Sequence, residues 1–156
     1  MSFTLEELSD SDWGVKHSTT GWVYMYNSAC ISWGSKKQPS VALSSCEAEI
    51  MAGSEAAKEG LYLSNFLEEL SLKGKEPIDL SLDNQSAIAI AYNPEHHART
   101  KHVLRRHYFI RECVENLQIR VPYVGTSDNL ADFFTKPLPA KAFYRLRDLI
   151  MNVPHS

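Results

Sequence analysis

Four acidic residues carry the chemistry this chain can do: Asp10, Glu49, Asp83 and Asp132. Asp10 lies in Ser-Asp-Ser-Asp-Trp, and Glu49 closes Ser-Ser-Cys-Glu-Ala-Glu. Asp83 opens Asp-Asn-Gln-Ser-Ala-Ile, and Asp132 sits inside Asn-Leu-Ala-Asp-Phe-Phe-Thr-Lys. Carboxylates among apolar neighbours lose hydration and repel one another unless cations neutralise them. Oxygen ligands of this kind suit a hard ion, magnesium or manganese. No two of the four stand at helical ligand spacing, so only the fold can bring them together. Each also has an ordinary explanation: Asp10 as a turn residue beside Asp12, Glu49 in an ion pair, Asp83 as a helix cap, Asp132 as a first-turn acid.

The elements that must position them are legible in part. Residues 3–10 read as a first strand, and Gly21–Tyr26 as a β-branched and aromatic second strand. A turn at Asn27-Ser28 leads to a third strand, Cys30–Trp33, closed by Gly34. A long helix should run from Ser44 or Ser45 to Leu70, with Glu47 completing a capping box if Ser44 is the cap. At 100° per residue, Ala56, Gly60, Leu63 and Leu67 fall within roughly 40° of Glu49. Glu47, Ser54, Lys58 and Glu69 fall on the opposite side, so Glu49 faces inward and Glu47 faces water.

Pro77–Asp83 is a short strand with Ile78, Leu80 and Leu82 alternating, and a helix over 85–92 follows at once. Asp83 therefore sits at the carboxyl end of a strand, where open α/β sheets place their ligands. A third helix, residues 100–116, should bury Val103, His107, Ile110, Val114 and Leu117. A fifth strand spans 118–124. Thr126-Ser127 then caps the short helix carrying Asp132, and a terminal amphipathic helix covers 140–151. The order βββαβααβα implies an α/β fold: a five-stranded mixed sheet, three antiparallel strands then two parallel ones, flanked by helices.

The chain of 156 residues fits a single domain, 1–156. No apolar run is long enough to span a bilayer, and the acidic start lacks a secretory signal's basic region. Three cysteines in apolar or small-residue settings read as reduced thiols of an intracellular protein. The formal net charge of −3 leaves nucleic-acid binding to local patches. One runs from His96 to Arg111, with Arg99, Lys101, His102, Arg105 and Arg106; Lys36-Lys37 is a second. The four histidines 96, 97, 102 and 107 lack a nearby cysteine pair for zinc. Trp13, Trp22 and Trp33 read as core and strand-packing aromatics. Ser44, Ser45 and Cys46 have no partners that would make a covalent nucleophile.

Several stretches together resemble the ribonuclease H domain of copia-type LTR retrotransposon polyproteins. They are Ser-Asp-Ser-Asp-Trp (9–13), Ser-Thr-Thr-Gly-Trp (18–22), Ile-Ser-Trp-Gly-Ser-Lys-Lys-Gln-Pro (31–39) and Val-Ala-Leu-Ser-Ser-Cys-Glu-Ala-Glu (41–49). Asp-Asn-Gln-Ser-Ala-Ile (83–88), Ala-Arg-Thr-Lys-His-Val (98–103) and Asn-Leu-Ala-Asp-Phe-Phe-Thr-Lys-Pro-Leu (129–138) complete the series. The resemblance implies a ribonuclease H-like fold, with Asp10, Glu49, Asp83 and Asp132 as catalytic metal ligands. It implies two Mg²⁺ ions, replaceable by Mn²⁺, and an RNA–DNA hybrid as substrate, contacted by Asn84 and Gln85. Lys36, Lys37, Arg99, Lys101 and His102 would add backbone contacts. The implied partner is an upstream reverse transcriptase polymerase domain, and the implied location the cytoplasm, within virus-like particles. A catalytically inactive copy that supports a polymerase or binds nucleic acid is the alternative. Two departures stand out: the loop Gly14–His17 is short, and residues 124–129 lack the histidine that many ribonucleases H carry before the last acid.

Overall fold

The computed structural model describes residues 2–8, 17–92 and 101–154, and side chains within 17–92, 105–125 and 127–154. In chain order it contains β1 (Ser2–Leu8), β2 (Thr19–Tyr26), β3 (Ala29–Lys37), α1 (Ser45–Glu69), β4 (Ile78–Leu82) and α2 (Gln85–Tyr92). Then follow α3 (Lys101–Glu115), β5 (Ile119–Arg120), a 3₁₀ turn (Thr126–Asp128), α4 (Asp132–Thr135) and α5 (Ala140–Ile150). The strands form one sheet in the order β3-β2-β1-β4-β5. β1 and β3 run antiparallel to β2, whereas β4 is parallel to β1 and β5 to β4.

The β2–β3 hairpin closes through Asn27 and Ser28, both with positive φ (49° and 63°). Two left-handed residues match the twist of the strands they join. β3 does not stop at Gly34 but continues to Lys37. Gly34 lies opposite Trp22, and a Cβ there would overlap the indole. The glycine therefore makes room for a ring instead of ending a strand. Trp33 is not a core residue either: it is exposed and stacks on Phe134, ring centres 5.3 Å apart.

Ser44 caps α1, its Oγ accepting from the Glu47 N–H at 3.1 Å. The Glu47 carboxylate reaches back to the Leu43 N–H at 2.7 Å, one residue before the cap itself. Small residues let α1 settle on the sheet: Ala52, Ala56 and Gly60 are buried. The Tyr24 hydroxyl donates to the Ala56 carbonyl at 2.6 Å. Ser54, expected on the solvent side, is buried because α3 packs on α1 as well. A helix between a sheet and a second helix has two covered faces, which one stripe on a wheel does not reveal.

Tyr24, Ile50, Ala56, Ile78, Leu80, Leu82, Ile110 and Ile119 belong to the core. α3 ends at Glu115, so Leu117, expected inside, is 73% exposed and has φ 56°. Cys113 takes the inward position. β5 is two residues long, shorter than expected, because Pro122 has no N–H to continue a ladder. Pairing resumes only as a bridge between Leu82 and Tyr123. Among the described residues no helix is long and apolar enough to cross a membrane.

Cys30, Cys46 and Cys113 are free thiols. Burial, then the Glu112 charge, push Cys113 up to about 11. A thiolate is the reactive form. Ellman's reagent at pH 8 should therefore label Cys113 last, and at full rate only in denaturant. Equal labelling of all three in the native protein would contradict this packing.

Candidate active site

Glu49 lies one turn inside α1 and is 2% exposed. Its surroundings are fixed through Gln38, whose Nε2 donates to the Ala48 carbonyl at 3.0 Å and to Thr20 Oγ1 at 3.1 Å. Those bonds join the start of β2 and the end of β3 to the first turns of α1.

Asp83 directly follows β4 and is half-buried. The backbone leading to it is tied twice to the segment after β5. The Leu82 N–H donates to the Pro122 carbonyl at 3.0 Å, and the Leu82 carbonyl accepts from the Val124 N–H at 2.9 Å. Asn84, not Asp83, caps α2, its Oδ1 accepting from the Ala87 N–H at 3.1 Å. That oxygen therefore serves the helix, and the amide NH₂ is the group Asn84 can offer a ligand. Gln85 is exposed at the start of α2.

Asp132 begins α4, and its N-terminal turn is not built by Thr126-Ser127 as expected. Buried Asn129 does this instead, its Oδ1 accepting from the Ala131 N–H at 3.1 Å. An Asx side chain closing on the backbone two residues later is a legible turn signal that helix-cap reasoning passed over. Lys136 Nζ stands 2.8 Å from Asp132 Oδ1, one helical turn along. Burial raises the Asp132 carboxyl above its ordinary range and outweighs the Lys136 ammonium, which lowers it.

The sign of that balance predicts a stability effect. An acid whose folded pKa is raised costs stability while ionised, and the cost fades as pH falls through the folded value toward the unfolded one. Asp132→Asn should therefore melt higher than wild type near pH 7, with the gap closing near pH 4. A melting-temperature series over that range checks it, and a lower melting point at pH 7 would refute it.

The register shows where these residues stand. Alternation along β2 points Thr20 and Tyr24 toward α1, through their bonds to Gln38 and Ala56. Gly21 points the other way, since a Cβ there would run into Thr135 and the Ala131 carbonyl of α4. α1 and α4 thus cover opposite faces of the sheet. Glu7 pairs with Thr20 and Glu6 with Gly21, so both helices meet the sheet near the carboxyl end of β1. β4 runs parallel to β1, with Leu82 beside Leu5, so Asp83 leaves from the same end. Glu49, Asp83 and Asp132 therefore occupy one end of the sheet, approached from both faces.

They are not drawn into a tight cluster. Among the described residues, no three His, Cys, Asp or Glu side chains are placed to hold a metal ion. Asp10 lies outside the described residues, as do Arg99 and the side chains of Lys101 and His102. Lys36 and Lys37 are exposed at the end of β3, level with Thr20 and Thr19. His107 is a packing residue, its Nε2 2.9 Å from the Ile90 carbonyl of α2. Gln38, Asn129 and Lys136 are the positioning residues not picked out from sequence. Of these Asn129 and Lys136 had visible signals, the Asx turn of the one and the i+4 spacing of the other from Asp132.

The mixed sheet with α1 on one face and α4 on the other is the ribonuclease H fold. The crystal structure of RNase H1 from Halobacterium salinarum NRC-1 superposes with a TM-score of 0.60 at 16% identity, covering 86% of this chain and 92% of that one. The N-terminal RNase H domain of a Mycobacterium tuberculosis protein gives 0.62 at 10% identity, covering 94% and 95%. No family model matches the chain. The retrovirus-related Pol polyprotein from transposon TNT 1-94 of Nicotiana tabacum is 41% identical over 135 residues, 86% of this chain. That from transposon RE1 of Arabidopsis thaliana is 38% identical over 146 residues, 91% of this chain. Each alignment covers 10% of the relative, so the chain spans about a tenth of the polyproteins it matches. The chain thus aligns over most of its length with segments of retrotransposon Pol polyproteins and shares the fold of ribonuclease H domains.

Proposed function

We propose that this domain is a metal-dependent endonuclease that hydrolyses the RNA strand of RNA–DNA hybrids during reverse transcription of a retrotransposon. The supporting observation is the placement of Glu49, Asp83 and Asp132 at one end of the sheet, where the chain also leaves β1 toward Asp10. An all-carboxylate donor set fits Mg²⁺, with Mn²⁺ as a substitute. A bound pair of such ions supplies an activated water and stabilises the charge on the leaving 3′ oxygen. The protein's part is to hold the carboxylates from three directions: Glu49 by α1, Asp83 by the clamped end of β4, Asp132 by the Asn129 turn. Lys136 balances the Asp132 charge when no divalent cation does. Asn84 and Gln85, beside Asp83, would meet the hybrid groove, and Lys36 and Lys37 its backbone. Arg99, Lys101 and His102 would extend that backbone contact. The polymerase region of the same polyprotein is the proposed partner, and the cytoplasm, within virus-like particles, the proposed location.

A second reading is an inactive module that binds nucleic acid or supports the polymerase. The Lys136–Asp132 ion pair favours it, because one acid is already neutralised without metal. A labelled hybrid incubated with Mg²⁺, and again with excess EDTA, separates the two. Magnesium-dependent cutting to 5′-phosphate and 3′-hydroxyl ends supports the nuclease. Hybrid binding without cutting in either Mg²⁺ or Mn²⁺ supports the module.

A further inference from the structure

α4 is a single turn, and the residue that ends it decides what Asp132 faces. A proline disfavours helical backbone at the residue before it. Lys136 precedes Pro137 and is extended accordingly, φ −145° and ψ 154°. Its N–H stays within 3.4 Å of the Asp132 carbonyl, and its side chain turns back to set Nζ 2.8 Å from Asp132 Oδ1. Lysine side chains are ordinarily among the most exposed in a protein. Here only 22% of the Lys136 side chain is exposed, against 9% of the Asp132 side chain. Ordering so long a side chain costs rotamer freedom, which a chance surface encounter does not repay.

The pair is nevertheless an incomplete charge balance. The Lys136 charge offsets only part of what burial does to the Asp132 carboxyl. A doubly charged ion at the same carboxylate can offset more than one ammonium does. Lys136 is also not sealed in. Its flexible four-carbon stem can swing the ammonium out to water, where that group is strongly hydrated.

We propose that Lys136 is a displaceable counter-cation. It neutralises Asp132 in the metal-free domain, gives the carboxylate up to an incoming divalent cation, and so raises the magnesium concentration the site needs. The coupling is reciprocal: the ion pair weakens metal binding by the factor by which metal weakens the ion pair. This inference rests on the nuclease reading and adds to it a residue that sets the metal requirement.

The test uses magnesium chloride as the only ligand, titrated calorimetrically into nucleic-acid-free protein. Lys136→Gln should bind Mg²⁺ about fivefold more tightly than wild type. Lys58→Gln, across the sheet on α1, removes the same charge from an exposed pair and should leave the affinity unchanged. In EDTA, Lys136→Gln should melt about 2–4 °C lower, and magnesium should close most of that gap. A second measurement needs no variant. Brief acetylation of wild type, read by mass spectrometry, should label Lys136 about threefold faster in saturating Mg²⁺ than in EDTA, with Lys58 unchanged. Magnesium affinity that is equal or weaker in Lys136→Gln, or a Lys136 labelling rate that magnesium does not raise, overturns the proposal. If wild type nevertheless cuts hybrid with Mg²⁺, the nuclease reading stands without it. Wild type and Lys136→Gln that both bind no Mg²⁺ overturn both.

Discussion

Asp83→Asn should slow magnesium-dependent cleavage of an RNA–DNA hybrid by about a thousandfold, about 4 kcal/mol in the barrier. The amide is nearly the same size as the carboxylate, and the strand end that carries it is held by Leu82's bonds to Pro122 and Val124. The fold should therefore survive. What changes is the charge: an amide oxygen is a far weaker ligand for a hard cation than a carboxylate. Hybrid binding should be retained or tightened, because a negative charge facing phosphates has been removed. Single-turnover cleavage and anisotropy on the same preparation separate these effects. A variant that cuts at the wild-type rate would exclude Asp83 from the chemistry. Glu49→Gln and Asp132→Asn should behave alike if the three acids act as a unit, with a double variant little worse than a single one.

The largest effect on stability is expected at Gly60. α1 lies so close to the sheet that a Cβ at Gly60 would overlap the Tyr24 hydroxyl and press on Ile78. Tyr24 is fully buried and cannot move aside without losing its bond to the Ala56 carbonyl. Burial, and then the Glu59 charge, push that hydroxyl well above its ordinary pKa, so it remains a donor. Alanine is the better helix former by about 1 kcal/mol. Overpacking and a disrupted buried hydrogen bond together cost more, so Gly60→Ala should lose about 2 kcal/mol net and roughly 4–8 °C of melting temperature. Gly74→Ala is the control, since a Cβ there meets only the exposed Glu76 carboxylate. A stabilised Gly60→Ala would show that α1 can lift from the sheet at little cost.

Local rules carried far along parts of this chain. The hairpin at Asn27-Ser28, the Ser44 cap and the inward face of Glu49 all depend on neighbours within a few residues, and all appear in the structure. They misled where a distant partner decides. Gly34 looked like a strand end, but Trp22 across the hairpin gives it another purpose. Ser54 looked exposed until α3 covered it. Leu117 looked like the last core residue of a helix that in fact stops at Glu115.

The acids divide the same way. Their identities, and for Glu49 and Asp83 the helix or strand end on which each sits, are local and follow from residue order. Their shared position depends on the parallel pairing of β1 with β4, which joins segments about seventy-five residues apart. It depends equally on the packing of α1 and α4 on opposite faces of β2, a matter of which side chains point up or down from the sheet. Residue order names the acids, and long-range pairing with close packing sets the end of the sheet at which they stand.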